Sequence, residues 1–331
     1  MKSLTAFWMA LIGSALLTST GSGQTMKAIV VHEYGGPEVL KYEDAPQPEP
    51  AEDEILVRTM AASVNPVDSY IRAGRYKTGS LPFTPGLDVA GVVEKTGAKI
   101  TKFKKGDVIW AYLRFRQHGG YAQFSIVKED EAALKPKSLT DEEAAAVPLA
   151  ATTAWQALID TAKLGPGQTV LIHGGSGGVG HFAIQIAKVR GAKVIATAST
   201  ENQDILKQLG VDQPIDYTKT KFEDVVKDVD VVLEATRSDS MARSYRIVKK
   251  GGFIASVTGP PDQAELEKYG IRGQGVSAHP DPDVLDELAK LVEAKKFKPI
   301  VSQVFPLAEA RKAHEQIETR HTRGKIVLKV D

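Results

Sequence analysis

The sequence predicts an α/β protein of two units, a barrel-like β domain and a doubly wound parallel sheet inserted into it. Three observations carry that expectation. The chain has 331 residues, more than one domain usually holds. After Pro148 the pattern changes from short strands between turns to strands alternating with helices. A glycine-rich turn from Gly174 to Gly180 then separates an apolar strand-like run from a helical one.

The first unit is placed at residues 26–148. Lys27 to Val31, Glu54 to Arg58, Val89 to Val93 and Val108 to Trp110 are short strand-like runs. Gly35-Gly36-Pro37, Pro46 to Pro50, Leu81 to Gly86 and Lys105-Gly106-Asp107 supply the turns between them. The second unit is placed at residues 149–279. Its predicted strands are Gln168 to Gly174, Lys193 to Ser199, Pro214 to Tyr217, Val229 to Ala235 and Gly252 to Val257. Helices are expected at Val179 to Arg190, up to Leu209, and at Ser240 to Val248. Residues 280–331 return to the first unit through a helix, Asp283 to Lys295, and a last strand, Lys325 to Val330.

Composition narrows the function. Apolar residues make up 42% and charged residues 25%, as in a globular protein with a sizeable core. A net charge of +1 with interspersed signs leaves no electrostatic footprint for nucleic acid, and Lys102, Lys104 and Lys105 read as solvated surface. There is no cysteine, which excludes disulfides, cysteine-based zinc sites and thiol catalysis.

Residues 1–25 differ from the rest. Lys2 is the last charge before Lys27, and Leu4 to Leu17 is largely apolar. This looks like a secretory signal and predicts an exported, periplasmic or secreted protein. It is too short for a membrane span, which needs about 20 apolar residues. No Ala-x-Ala site is present, and Met26-Lys27-Ala28-Ile29-Val30 also reads as a natural start, which would leave the protein cytoplasmic.

Gly175, Gly177 and Gly180 satisfy G-x-G-x-x-G between a strand and a helix, the fingerprint of a Rossmann dinucleotide site. Gly175 is expected to make the tight turn, Gly177 to admit the pyrophosphate and Gly180 to pack helix on strand. The helix-start amides, with Gly174, Ser176, Gly178 and Val179, would face the phosphates. At the end of the second strand, where NAD sites carry an acid, stand Ser199 and Thr200, so NADP(H) is the expected cofactor. His173 reads as a satisfied strand-end histidine rather than a catalyst.

With Met26-Lys27-Ala28, Gly35-Gly36-Pro37, Asn65-Pro66-Val67-Asp68, Pro85 to Val93 and Arg323 to Leu328, the glycine motif resembles the medium-chain dehydrogenase/reductase family. The resemblance is to its zinc-independent, quinone oxidoreductase-like branch, which includes zeta-crystallin, and spans Met26 to Asp331. It implies a GroES-like β-barrel catalytic domain, an inserted Rossmann domain, a cofactor cleft between them and a homodimer. Where zinc-containing relatives place Cys and His, this chain has Asn65 and Leu87, which cannot replace a thiolate and an imidazole. Hydride donation to an already electrophilic carbon then remains, with an enone, enal or quinone as the small-molecule substrate.

The resemblance also assigns residues. Asn65 is placed beside the nicotinamide, and Tyr76 on the substrate side as a hydrogen-bond donor. Asp68 is expected to hydrogen-bond beside the site, and Tyr70 to be structural. Thr152, Thr258 and Gly259 are placed at the nicotinamide, and Tyr217 at the adenosine phosphate. Some relatives carry a lysine where this chain has Gln203. Arg323, Gly324 and Lys325 either close on the cofactor or form a turn before the last strand. His279 is read as a surface-loop residue. One-electron quinone reduction, and a non-catalytic NADPH-binding module of the same fold, stay open on sequence.

Overall fold

The computed structural model describes residues 24–76 and 80–331. The signal-like segment therefore lies outside the described residues, Gln24 and Thr25 apart. Both of these belong to the fold: Thr25 pairs with Pro46, and the Gln24 carbonyl accepts from Gln47 N–H at 2.8 Å.

The chain opens with the antiparallel pair β1 (Thr25–Val31) and β2 (Leu40–Pro46). Then come β3 (Glu54–Val64), β4 (Asp88–Thr96), β5 (Val108–Tyr112), β6 (Phe124–Lys128) and β7 (Ala132–Leu134). β3 is the axis of this GroES-like domain, pairing antiparallel with both β4 and β6. Most of its residues are buried on both faces, so its run is almost continuously apolar where an edge strand would alternate.

The Rossmann sheet follows, with β8 (Thr169–His173), β9 (Lys193–Ala198), β10 (Gln213–Asp216), β11 (Val229–Glu234), β12 (Val248–Ser256) and β13 (Arg272–Gly275). All pair in parallel, in the order β10-β9-β8-β11-β12-β13. The strand order reverses beside β8, the switch point where such sheets bind ligands at their carboxyl ends. The helix Gly180–Val189 returns from β8 and packs on the sheet through Phe182, Ala183, Ile186 and Ala187.

The tail then rejoins the first sheet. β14 (Val301–Pro306) lies parallel to β15 (Lys325–Lys329), and β15 pairs antiparallel with β3, setting Ile326 opposite Val64. That register brings Lys325 beside Asn65. A single apolar cluster crosses between the two sheets. It joins Ala61, Ala90 and Trp110 to the buried alanines between Ala144 and Ala157, whose small side chains let the helix Pro148–Trp155 pack against β4, β5 and the helix Gly180–Val189.

Differences from expectation fall on edges and joints. β2, β13 and β14 carry exposed or polar residues and offer no apolar run to read. The helix expected at Ser240 to Val248 stops earlier: Ser240–Ser244 is α-helical, Tyr245–Ile247 is a 3-10 turn, and Val248 already begins β12.

Candidate active site

The glycine loop leaves β8 at its carboxyl end. The left-handed residue is Gly174, with φ +73°, so the tight turn belongs to it and not to Gly175 as the spacing implied. A Cβ on Gly175 would meet Ala196 and Leu206 at 2.9 Å, which makes Gly175 a packing residue. One on Gly180 would collide with the Gly174 carbonyl oxygen, the close approach expected there. At Gly177 a Cβ would touch only Gly174 O, at 3.3 Å, so that side of the loop stays open. Among the described residues, the amides of Ser176, Gly178 and Val179 pair with no acceptor and are free for an anion. His181 was not anticipated. Its Nδ1–H donates to Gly177 O at 2.8 Å while Nε2 accepts from Ile300 N–H at 3.3 Å, stapling the loop to the C-terminal segment. Burial holds this histidine neutral, down to about 4.

Ser199 and Thr200 lie at the end of β9, but their hydroxyls are engaged. Ser199 donates to Glu201 at 3.1 Å and Thr200 to Asp216 at 2.6 Å. The Thr200 and Thr218 hydroxyls hold Asp216 ionised, with its carboxyl down to about 2. Gln203 donates to the carbonyls of Ala198, Ser199 and Ile215, tying two strand ends together. The Tyr217 ring is exposed beside them.

The C-terminal segment runs past the glycine loop. Arg323 pairs with Asp204 at 2.9 Å, and Gly324 N–H donates to Ser176 O at 2.8 Å. Gly324 has φ +65°, and a Cβ there would collide with Ile300 O. The segment is thus both the turn before the last strand and a wall of the loop.

Lys325 enters a buried polar cluster at the carboxyl end of β3. Its ammonium donates to Asn65 Oδ1 and to Val64 O, and lies 3.8 Å from Asp88 Oδ2. Asn65 Nδ2 donates to Asp88 Oδ2 at 2.7 Å, and Ser63 Oγ to the same oxygen at 2.5 Å. Leu149 N–H, in the first turn of the helix Pro148–Trp155, donates to Asp88 Oδ1 at 2.7 Å. Burial pushes the Asp88 carboxyl up and the Lys325 ammonium down, while each opposes the other's shift.

A second chain of bonds meets the first at Asn65. Asn65 N–H and Tyr121 OH both donate to Asp68 Oδ2, at 2.8 and 3.0 Å. Arg72 can only donate, so His314 Nδ1, 3.1 Å away, accepts, and His314 Nε2–H faces Tyr121 OH at 3.3 Å. Burial, reinforced by Arg72, keeps His314 neutral, down to about 3. Asp68 Oδ1 has no partner, and burial pushes its carboxyl up to about 7. The spacing of Asn65 and Asp68 is legible in sequence. Tyr121 and His314 come from remote segments with no local signal, while Arg72 ends the same helix that carries Asp68. Asp88 had one, an acid opening the apolar run Val89 to Val93.

The remaining candidates are placed as follows. Tyr76 is exposed beyond the helix Pro66–Arg72, its ring edge-on to Tyr70 at 6.3 Å. Tyr70 lies between the guanidinium groups of Arg75 and Arg237, 5.2 and 4.8 Å from its centre, so it joins the two domains at the cleft. Thr152 is fully buried and its hydroxyl has no hydrogen-bond partner, so it can bond a polar group brought to it. Thr258 N–H donates to Ser256 Oγ at 3.3 Å, and Gly259, at φ +142°, faces open space. Tyr112, not singled out by sequence, donates across the cleft to Ala278 O at 3.0 Å. His279 is exposed, and His173 is satisfied by Thr197 and Ser244 at 3.2 and 2.9 Å. For a metal the donor set is poor: Leu87 is apolar, Asn65 is engaged, and an ammonium already sits against Asp88.

Two family models match this chain: an alcohol dehydrogenase GroES-like domain over residues 51–137 and a zinc-binding dehydrogenase domain over 209–328. A chloroplastic NADPH-dependent alkenal/one oxidoreductase of Arabidopsis thaliana is 38% identical over 92% of this chain and 79% of its own. A quinone oxidoreductase of Sus scrofa is 34% identical over 92% of this chain and 97% of its own. The solved quinone oxidoreductase of Coxiella burnetii superposes with a TM-score of 0.87 at 36% identity, covering 93% of this chain and all of that one. The chain belongs to the medium-chain dehydrogenase/reductase family, in its quinone oxidoreductase-like branch.

Proposed function

We propose that this protein is an NADPH-dependent reductase of enones, enals or quinones that works without zinc. The observation that carries the reading is the juxtaposition of an open glycine loop with the buried Asn65–Lys325–Asp88 cluster, both touched by one C-terminal segment. The names of the plant and mammalian relatives support the same acceptors and cofactor.

The free amides of Ser176, Gly178 and Val179 would hold the pyrophosphate of NADP(H), and the unpartnered Thr152 hydroxyl would meet the nicotinamide side. When bound, the dihydronicotinamide supplies a hydride to the β-carbon of the acceptor, leaving NADP⁺. Charge then grows on the acceptor's carbonyl oxygen, and the enolate is quenched by a proton from water at the α-carbon. The residues contribute chiefly by positioning the two carbons and by electrostatics around that oxygen. Ser199 and Thr200 serve a 2′-phosphate only by giving up Glu201 and Asp216, with Arg323 and Lys219 as the nearby cations.

The test is protein from Met26 onward titrated with NADPH and NADH, then offered enals, enones and quinones. Oxidation of NADPH by one acceptor class supports the reading. NADPH binding without turnover returns the binding-module alternative, and preferred NADH binding overturns the cofactor assignment. We further propose a homodimer, on the resemblance alone, with light scattering as its check. Export is proposed on residues 1–25, and N-terminal sequencing of the mature protein separates it from a start at Met26.

A further inference from the structure

The Asn65 side chain is held between two groups of opposite character. Asp88 accepts from Ser63 Oγ, Leu149 N–H and Asn65 Nδ2, while Lys325 can only donate and does so to Asn65 Oδ1. A carboxylate on one side and an ammonium on the other permit one orientation of the amide. Nδ2 points to Asp88 and Oδ1 to Lys325. One Nδ2 hydrogen is left over. A cation on the amide oxygen withdraws electron density and strengthens the remaining N–H as a donor. The Lys325 stem also runs under the dinucleotide loop, since a Cβ on Gly178 would stand 3.3 Å from Lys325 Cδ.

We propose that Lys325 is a positioning residue for the reduction: it fixes and polarises Asn65 so that the free Nδ2–H serves as donor to the acceptor oxygen as that oxygen gains negative charge. This rests on the reductase reading above. Lys325 moves no proton itself. It acts as a fixed charge, and the amide transmits its effect. Besides Asn65, it faces Asp88 on β4, Asp68 on the helix Pro66–Arg72 and the neutral His181 on the helix Gly180–Val189. Burial lowers its affinity for the proton and the two carboxylates raise it, with the net direction downward.

The test compares wild type with Lys325→Met, Lys325→Arg, Asn65→Ala and the Lys325→Met/Asn65→Ala pair. Loss of Lys325 through methionine is expected to lower kcat on the order of tenfold to a hundredfold with little change in KM, and arginine to restore part of it. The double variant should be no slower than Asn65→Ala alone; additive losses would show independent roles and overturn the proposal. In wild type kcat should fall at alkaline pH, below the ordinary lysine value of about 10.4, as the ammonium is lost. In Lys325→Arg that limb should vanish, because the guanidinium stays charged; a limb that persists unchanged counts against the proposal.

A readout without turnover keeps a failure of the reductase reading separate. In the cofactor-free protein, the Asn65 side-chain amide resonance, assigned through Asn65→Ala, should titrate with alkaline pH in wild type and not in Lys325→Arg. Titration in both, or in neither, overturns the proposal even if no acceptor is ever reduced. If Lys325→Met fails to fold, the arginine variant carries both tests, since it keeps a cation against Asp88.

Discussion

The glycine loop and the Asn65 cluster lie close together in the cleft but are made of different material. The loop binds through main-chain amides, and its side chains matter mainly by being absent, as at Gly175 and Gly180. The cluster is built of charged and polar side chains from β3, β4, β15, two helices and the turn that holds Tyr121, nearly all buried. A backbone site needs its residues consecutive, so its spacing is visible in sequence. A side-chain site needs them only adjacent in space, and the chain hides the adjacency.

The largest effect is expected at Gly180. A valine there must drive its Cβ into the Gly174 carbonyl, which is backbone and has nowhere to yield. The penalty should exceed about 3 kcal/mol, and NADPH binding by fluorescence titration should be abolished. Undiminished affinity would move the cofactor away from this loop.

Next comes Asp88→Leu, which strands the buried Lys325 ammonium. Denaturant melts should show a loss of about 3–5 kcal/mol. Adding Lys325→Leu should restore much of it, because the cost lies in an uncompensated charge. If the pair is simply additive, the two groups do not form a unit.

Acid should separate the regions further. His173, His181 and His314 are buried and neutral, with values of about 3, 4 and 3 against an unfolded value of about 6.5. Below that value the unfolded chain binds protons that the native state refuses. Stability therefore falls as pH drops from about 6.5 toward 4, by up to about 1.4 kcal/mol per pH unit for each histidine. Asp68 acts in the opposite sense. Its folded value of about 7 lies above the unfolded one of about 3.9, so its contribution is full below about 4 and lost as pH rises toward 7. Asp68→Asn should thus steepen the net acid loss seen in melts across that window, and an unchanged slope would show that Asp68 is ionised throughout.

A smaller effect is expected from Glu201→Ala and Asp216→Ala, which remove the acceptors that hold the Ser199 and Thr200 hydroxyls. The ratio of NADPH to NADH affinity should rise severalfold. A fall would mean that the carboxylates orient those hydroxyls usefully instead of competing for them.

The same contrast explains what could be read in advance. Of the five predicted nucleotide-domain strands, β8, β9 and β11 are buried, apolar runs, and the glycine motif sits between the first of them and its helix, so local pattern sufficed there. Asn65 and Lys325 were picked out singly through resemblance, yet nothing local says that they touch. Their meeting follows from the β15–β3 register, a pairing across 260 residues. Tyr121 and His314 are hidden for the same reason, and Arg72, though on the helix of Asp68, finds its partner His314 only in space. The motif begins at Gly175 and so puts the turn there, but φ at Gly174 assigns the turn one residue earlier. The Thr200 hydroxyl reads as free in sequence because Asp216 arrives from the next strand, whereas Glu201, which holds Ser199, is only two residues away.

Direct hydride transfer is the central claim, and isotope labelling tests it with the fewest intermediaries. Protein from Met26 onward would be given an enone and NADPH carrying deuterium at nicotinamide C4, on each face in turn, and the product examined by NMR. Deuterium is expected at the β-carbon from one face only, with the α-hydrogen drawn from solvent. Product labelled from solvent at the β-carbon, or NADPH that binds and is never oxidised, would contradict it.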